Sequence, residues 1–162
     1  MSDPYAPVPG PPEPVLGGGW ALRATDPLRP VTRTSRGWSV VRDGTPLLEL
    51  TLHRVLHHPL RHCYPVGAHD LAVELSGGSA RTEPAAAELL RALVPALFRA
   101  DPECRRVISA PDADDTETIR RFEANGFRAI TDADLEGRTV VLLAAEPAAL
   151  AGLSTALNDM PH

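Results

Sequence analysis

Five of the six histidines of this chain fall between His53 and His69, in the run HRVLHHPLRHCYPVGAHD, which also holds Cys63 and Asp70. Imidazole and thiolate groups ligate zinc, copper or haem iron, so His57, His58, His62 and Cys63 are candidate metal ligands. The spacing His57-His58-x-x-x-His62-Cys63 matches no recognised ligand pattern, and solvated or hydrogen-bonded imidazoles on a loop are the plainer account of it. A second polar cluster follows Pro111, where Asp112, Asp114, Asp115 and Thr116 offer several side-chain caps to a helix. A third, Thr82-Glu83-Pro84, has the residue types of a helix start with proline in the first turn. Cys104 has no base near it in sequence, which leaves a nucleophilic role without support.

The elements that must position these groups follow from hydrophobic period and breakers. Gly19 to Arg23 and Trp38 to Arg42 read as short strands, and Asp43-Gly44 is a hairpin turn into Pro46 to Leu52. His53 to Ala68 lacks a period and reads as a loop, after which His69 to Leu75 resumes as a strand ended by Gly77-Gly78. Leu89, Leu90, Leu93, Leu97 and Phe98 share one face of a helix that Pro95 can kink and Asp101-Pro102 closes. The segment Arg105 to Phe127 reads as strand, turn, helix, Asn-Gly stop and strand, with Ile119 and Phe122 on the buried helix face. Arg138 to Ala145 is a further strand, and Pro147 to Leu157 reads as helical.

A chain of 162 residues allows one domain with a substantial core. The expected organisation is a flexible Pro/Gly-rich arm over 1–19 and a single domain over 20–158, with helices packed on a mixed sheet. Net charge is −5, which gives no general electrostatic reason to expect nucleic acid or an anionic membrane as partner. Cys63 and Cys104 form neither a disulfide framework nor a zinc-finger spacing. No basic region leads into an apolar run and no stretch is long enough to cross a bilayer, so a cytoplasmic protein is expected.

Across Arg105 to Phe127, and more weakly from about Trp38 to about Glu146, the chain resembles the GNAT superfamily of coenzyme A-dependent N-acyltransferases. The residues that carry the likeness are Ala110-Pro111-Asp112, Phe122 and Asn125-Gly126-Phe127. Their wording is nearest the branch that acylates a lysine or ornithine side-chain amine or hydroxylamine in siderophore assembly, where Glu-Pro-Asp stands at the place of Ala110-Pro111-Asp112. The resemblance implies an α/β (α+β) fold: a mixed, mostly antiparallel sheet with helices on both faces. The usual first helix pair is missing, because only Thr25 to Gly37 is available for it.

The resemblance also implies acyl-CoA as co-substrate, with pyrophosphate held by backbone N–H groups at a helix N-terminus. Ser76, Gly77, Gly78, Ser79, Arg81 and Thr82 fill that slot, although the glycines lie at the strand end and Glu83 adds a carboxylate. Asp115 is counted with this coenzyme set. For the acid-base pair the resemblance points to a strand His and the Asp of the turn. Ala72 stands where that His belongs, so His69 is the candidate base and Asp112 its partner. Phe122 occupies the place of a Tyr that protonates the leaving thiolate in many members, and a phenyl ring has no proton to give.

Two functional readings follow. In one, an acyl group moves from acyl-CoA or a carrier-bound thioester to an amine or hydroxylamine, small or carrier-bound. In the other, a GNAT scaffold no longer uses coenzyme A and serves as a binding or regulatory module, or as an enzyme using the His53 to His69 cluster with metal or haem. The shortened front half leaves sheet surface that a second copy could cover, as in a homodimer.

Overall fold

A computed structural model describes residues 9–24, 34–77 and 83–147, the side chain of Glu83 excepted. Strands β1 (Trp20–Ala24), β2 (Ser35–Arg42), β3 (Thr45–Arg54) and β4 (Leu71–Ser76) precede helix α1 (Glu83–Ala100). Strand β5 (Val107–Ser109), helix α2 (Thr116–Ala124), β6 (Arg128–Leu135) and β7 (Arg138–Ala145) follow. They form one seven-stranded sheet in the order β1-β2-β3-β4-β5-β7-β6. Every pairing is antiparallel except β4 with β5, which are parallel and joined through α1.

Local chemistry accounts for most of the boundaries. Asp43 and Gly44 have φ of 50° and 84°, the left-handed pair that a two-residue hairpin needs between β2 and β3. Glu136 and Gly137 repeat this geometry between β6 and β7, with φ of 50° and 82°. In α1 the side chains of Leu89, Leu90, Leu93 and Leu97 are fully buried, while Pro95 sits on the exposed side where its missing N–H costs least. Each of those leucines contributes roughly 1.5–3 kcal/mol by leaving water.

The two faces of the sheet differ. Leu50, Leu52, Leu71, Val73, Val107 and Leu143 pack with α1 and with Phe122 of α2 in the larger core. Ala72, Ile108, Val140, Leu142 and Ala144, which alternate with them, face a smaller cluster covered by Val55 and Leu60 of two 3-10 turns, Val55–His57 and Pro59–His62. The expected helices on both faces are therefore α-helices on one face and short 3-10 helices on the other. The loop expected from His53 begins later, because β3 runs on through Arg54.

Part of the expected flexible arm, residues 9–16, lies against the domain. Arg54 is buried, and its guanidinium donates to the carbonyl oxygens of Pro9 (2.8 Å) and Gly10 (3.1 Å). Pro11 and Pro14 are buried, and Leu16 packs against the larger core. A proline-rich chain leaves its carbonyls without intrasegment partners, so it can satisfy a buried cation and dock by doing so. Residues 1–8, and the helix expected over 147–157 beyond Pro147, lie outside the described residues.

Candidate active site

The parallel pairing of β4 with β5 covers only two residue pairs, Leu71 with Val107 and Ala72 with Ile108. Beyond them β4 continues to Ser76, whereas β5 ends at Ser109 and is followed by Ala110 and then by Pro111, whose nitrogen has no hydrogen to donate to a ladder. The strands part there, and the gap is a cleft of about 360 Å³. Val73 to Ser76 form one wall, Ser109 to Asp112 the other, and Phe122 and Arg138 also line it. A smaller recess of about 130 Å³ adjoins it, shares Val73, Glu74, Ala110 and Arg138, and is closed by His58, Leu60 and Glu136. Glu74 and Arg138 thus stand where the two spaces meet.

A row of polar side chains crosses three strands to reach this junction. Ser35 on β2 pairs in register with His53 on β3, and His53 pairs with Ala72 on β4. Directly opposed residues of antiparallel strands put their side chains on the same face, about 5 Å apart at Cβ. Ser35 Oγ lies 2.7 Å from His53 Nδ1, and His53 Nε2 lies 3.4 Å from Glu74 Oε2, two residues along β4 from Ala72. The ring of His58 is 4.9 Å from that of His53, and its Nδ1 accepts a hydrogen bond from the Leu60 N–H at 3.2 Å. The His53 imidazole beside it chiefly lowers the pKa of Glu74, against the opposing effect of burial. Burial, and then the neighbouring His53, lower that of His58.

The sequence-predicted residues separate into groups. His69 lies before the start of β4, at the opposite end of that strand from the cleft, and pairs with Glu103 (2.9 Å) and Asp101 (3.5 Å). Asp112 lies beyond the far end of the parallel β5, so the fold does not bring the two together as an acid-base pair. Asp112 does line the cleft. It accepts from Arg138 at 2.8 Å and bridges to Val140, while the cap of α2 is made by Asp115. Asp115 accepts from the Thr118 N–H (3.2 Å) and hydroxyl (2.7 Å), which accounts for its conformation without a coenzyme.

Of the expected coenzyme set, Ser76 lines the cleft and Gly77, with φ of 75°, ends β4. Gly78, Ser79, Arg81 and Thr82 lie outside the described residues. The expected metal set does not converge among the described residues. His57 is exposed, His62 is engaged by Arg61 Nε at 3.0 Å, and neither gathers with His58 and Cys63. The convergent group among the described residues is His53, His58 and Glu74 instead. Sequence reading missed His53 and Glu74 as a pair, and the signal that could have found them is strand register.

A sequence model described as the Acetyltransferase (GNAT) domain matches residues 27–135, and the chain belongs to that family. No curated protein matches it. Among solved structures it is similar to an uncharacterized protein from Bacillus halodurans, with a TM-score of 0.67 and 19% identity over 72% of this chain. It covers 61% of that protein, less than two thirds of its length. It is also similar to the aminoglycoside acetyltransferase AAC(6')-Ib solved with coenzyme A and kanamycin. There the TM-score is 0.63 and identity 18%, over 75% of this chain and 72% of that one. A putative GNAT-family acetyltransferase from Bordetella pertussis gives 0.55 and 20%, over 68% and 65%. At these identities the likeness is one of fold. Among the described residues no helix is long and apolar enough to cross a membrane.

Proposed function

We propose that the chain transfers an acyl group from a coenzyme A thioester to a primary amine or hydroxylamine, with Glu74 as the base. The observation that carries this reading is the parting of β4 and β5 after two residue pairs. On the β5 side, the backbone of Val73 to Ser76 has no strand partner, so an extended ligand bearing amides can hydrogen-bond along it as an added strand would. The coenzyme's pyrophosphate would lie toward the N-terminal end of α1, where the helix dipole favours an anion.

The acceptor would enter through the smaller recess and meet the thioester at Glu74. Attack makes the acceptor nitrogen cationic and far more acidic, so a carboxylate suffices to take its proton even with an imidazole beside it lowering its basicity. Collapse of the tetrahedral adduct breaks the C–S bond and releases coenzyme A as its thiolate, which takes a proton from solvent. His53, held from behind by Ser35, orients that carboxylate. Asp112 positions Arg138 at the same junction. The finer reading, an acceptor of the siderophore-precursor kind, rests on Ala110-Pro111-Asp112 forming the mouth of the cleft. A structure of AAC(6')-Ib in complex with acetyl-CoA and paromomycin supports the broader pairing of thioester and acceptor.

Calorimetric titration with acetyl-CoA tests the donor, and Glu74→Gln tests the base. Micromolar binding is expected in both proteins, with turnover of an amine acceptor lowered about 10²–10⁴-fold in the variant. Absence of binding at millimolar acetyl-CoA would overturn the reading in favour of a scaffold that has lost the coenzyme.

A further inference from the structure

We propose that His53, His58 and Glu74 form a three-ligand site for a zinc-class divalent cation. Each residue offers one ligand atom, and all three atoms lie within 4.8 Å of one another. The separation of His53 Nε2 from Glu74 Oε2 is 3.4 Å. Two ligands bound to a tetrahedral zinc ion at about 2.0–2.1 Å stand about 3.4 Å apart, so this edge already has the spacing of a metal site.

Two further features point the same way. His53 Nε2 is buried and has no hydrogen-bond partner. Its other ring nitrogen meets Ser35 Oγ at 2.7 Å, an outer contact that orients the ring as partners of metal-ligating imidazoles do. When Nδ1–H donates to Ser35, the Nε2 lone pair faces a carboxylate, and a cation between them resolves that opposition. Two nitrogens and one carboxylate oxygen suit zinc or cobalt, whereas magnesium and calcium favour oxygen throughout. The nearby Arg138 guanidinium is compensated by Asp112 at 2.8 Å, which limits its repulsion of a cation.

His58 binds at a defined cost. A neutral imidazole that ligates a metal through either nitrogen cannot also accept a hydrogen bond at Nδ1, so the contact from the Leu60 N–H is given up. His58 and Glu74 line a recess together with Ala72, Ala110 and Leu135, which leaves space beside them for a further ligand. A metal there would occupy the carboxylate of Glu74 and would compete with its use as a base. The site itself does not rest on the acyl-transfer reading.

The test is titration of the full chain, stripped with chelator and free of coenzyme, with cobalt(II) followed by zinc. Visible bands of a tetrahedral cobalt ion are expected, erased by stoichiometric zinc, with the Leu60 amide resonance shifting as metal binds. Glu74→Gln, at an exposed residue where folding is not at risk, is expected to abolish the bands, as is His58→Gln. Ser35→Ala is expected to weaken zinc by about tenfold. No binding, or cobalt bands unchanged in Glu74→Gln, would overturn the proposal. A sulfur-to-cobalt charge-transfer band would also overturn it, since it places the metal on Cys63. Loss of acetyl-CoA binding with cobalt bands intact would sink the acyl-transfer reading alone.

Discussion

Replacing Arg54 by methionine keeps an unbranched chain in place and removes the cation. In the native chain the guanidinium makes four hydrogen bonds: to Asp101 Oδ2 (2.7 Å), and to the carbonyl oxygens of His69 (2.8 Å), Pro9 (2.8 Å) and Gly10 (3.1 Å). The Arg54 side chain is 2% exposed and that of Asp101 11%, so water cannot replace what is lost. Removing one partner of such a pair costs about 3–5 kcal/mol, because the other charge remains buried. A domain of this size has about 5–15 kcal/mol in all. With a urea slope of about 2 kcal/mol per molar, the unfolding midpoint should fall by about 2 M. Arg54→Lys should lie between, since an ammonium cannot span carbonyls and a carboxylate as the planar fork does. Adding Asp101→Asn to Arg54→Met should recover part of the loss. Equilibrium urea unfolding followed by Trp38 and Trp20 fluorescence reads all four proteins. A midpoint shift below about 0.5 M for Arg54→Met would show that the network is peripheral and that residues 9–10 are not held by it.

His69→Ala should leave acyl transfer and acetyl-CoA binding unchanged while costing about 0–1 kcal/mol in the same unfolding assay, because Glu103, its nearer partner, is exposed and Asp101 keeps Arg54; a large fall in turnover would restore it as the base. In thiol titration of the native protein, partly exposed Cys63 should react and Cys104 should stay silent until the chain unfolds, since burial and then the Asp101 carboxylate push its thiol up to about 12. A raised thiol pKa stabilises the fold fully below the ordinary value of 9.0 and loses that contribution as pH rises toward 12, so Cys104→Ala should flatten the alkaline fall in urea midpoint. That comparison is cleanest between pH 9 and 10, because Tyr64, also raised by burial, has an ordinary value of 10.0 and adds its own loss above it. The double exchange His53→Ala with Ala72→His should retain more turnover than His53→Ala alone, and equal turnover would show that the imidazole is not needed at this place.

What was legible in the sequence was what neighbouring residues decide. The Asp43-Gly44 hairpin, the leucine face of α1 and the short helix ended by Asn125-Gly126 all follow from local spacing. The aspartates after Pro111 announced a cap, but choosing among them needed the helix start: Asp115 is three residues before Thr118 and can reach its N–H, whereas Asp112 is left to meet Arg138 across 26 residues. The docking of residues 9–16 was hidden because it is driven by a buried arginine whose partners lie 15 to 47 residues away. The histidine run misled for a related reason. Its most consequential member, His53, belongs to a strand rather than to the loop, and strand register is set by pairing and not by composition.

That register bears on how the site should be understood. The family likeness calls for an imidazole on β4 at the position of Ala72, and its absence there argued for lost chemistry. In the sheet His53 is the residue directly opposite Ala72, on the same face, and Ala72 is small enough to leave the space over it open. An imidazole is thus present within one side-chain width of the expected place, carried by the adjacent strand and braced by Ser35 on the next. The exchange also turns the ring toward Glu74 and toward His58, contacts that a histidine at 72 would approach from the same strand as Glu74. A substitution that looks like decay along the chain can therefore be a relocation across it. The same relocation places the imidazole beside the Glu74 carboxylate at the mouth of the cleft, the arrangement from which both proposals, proton transfer and metal ligation, are argued.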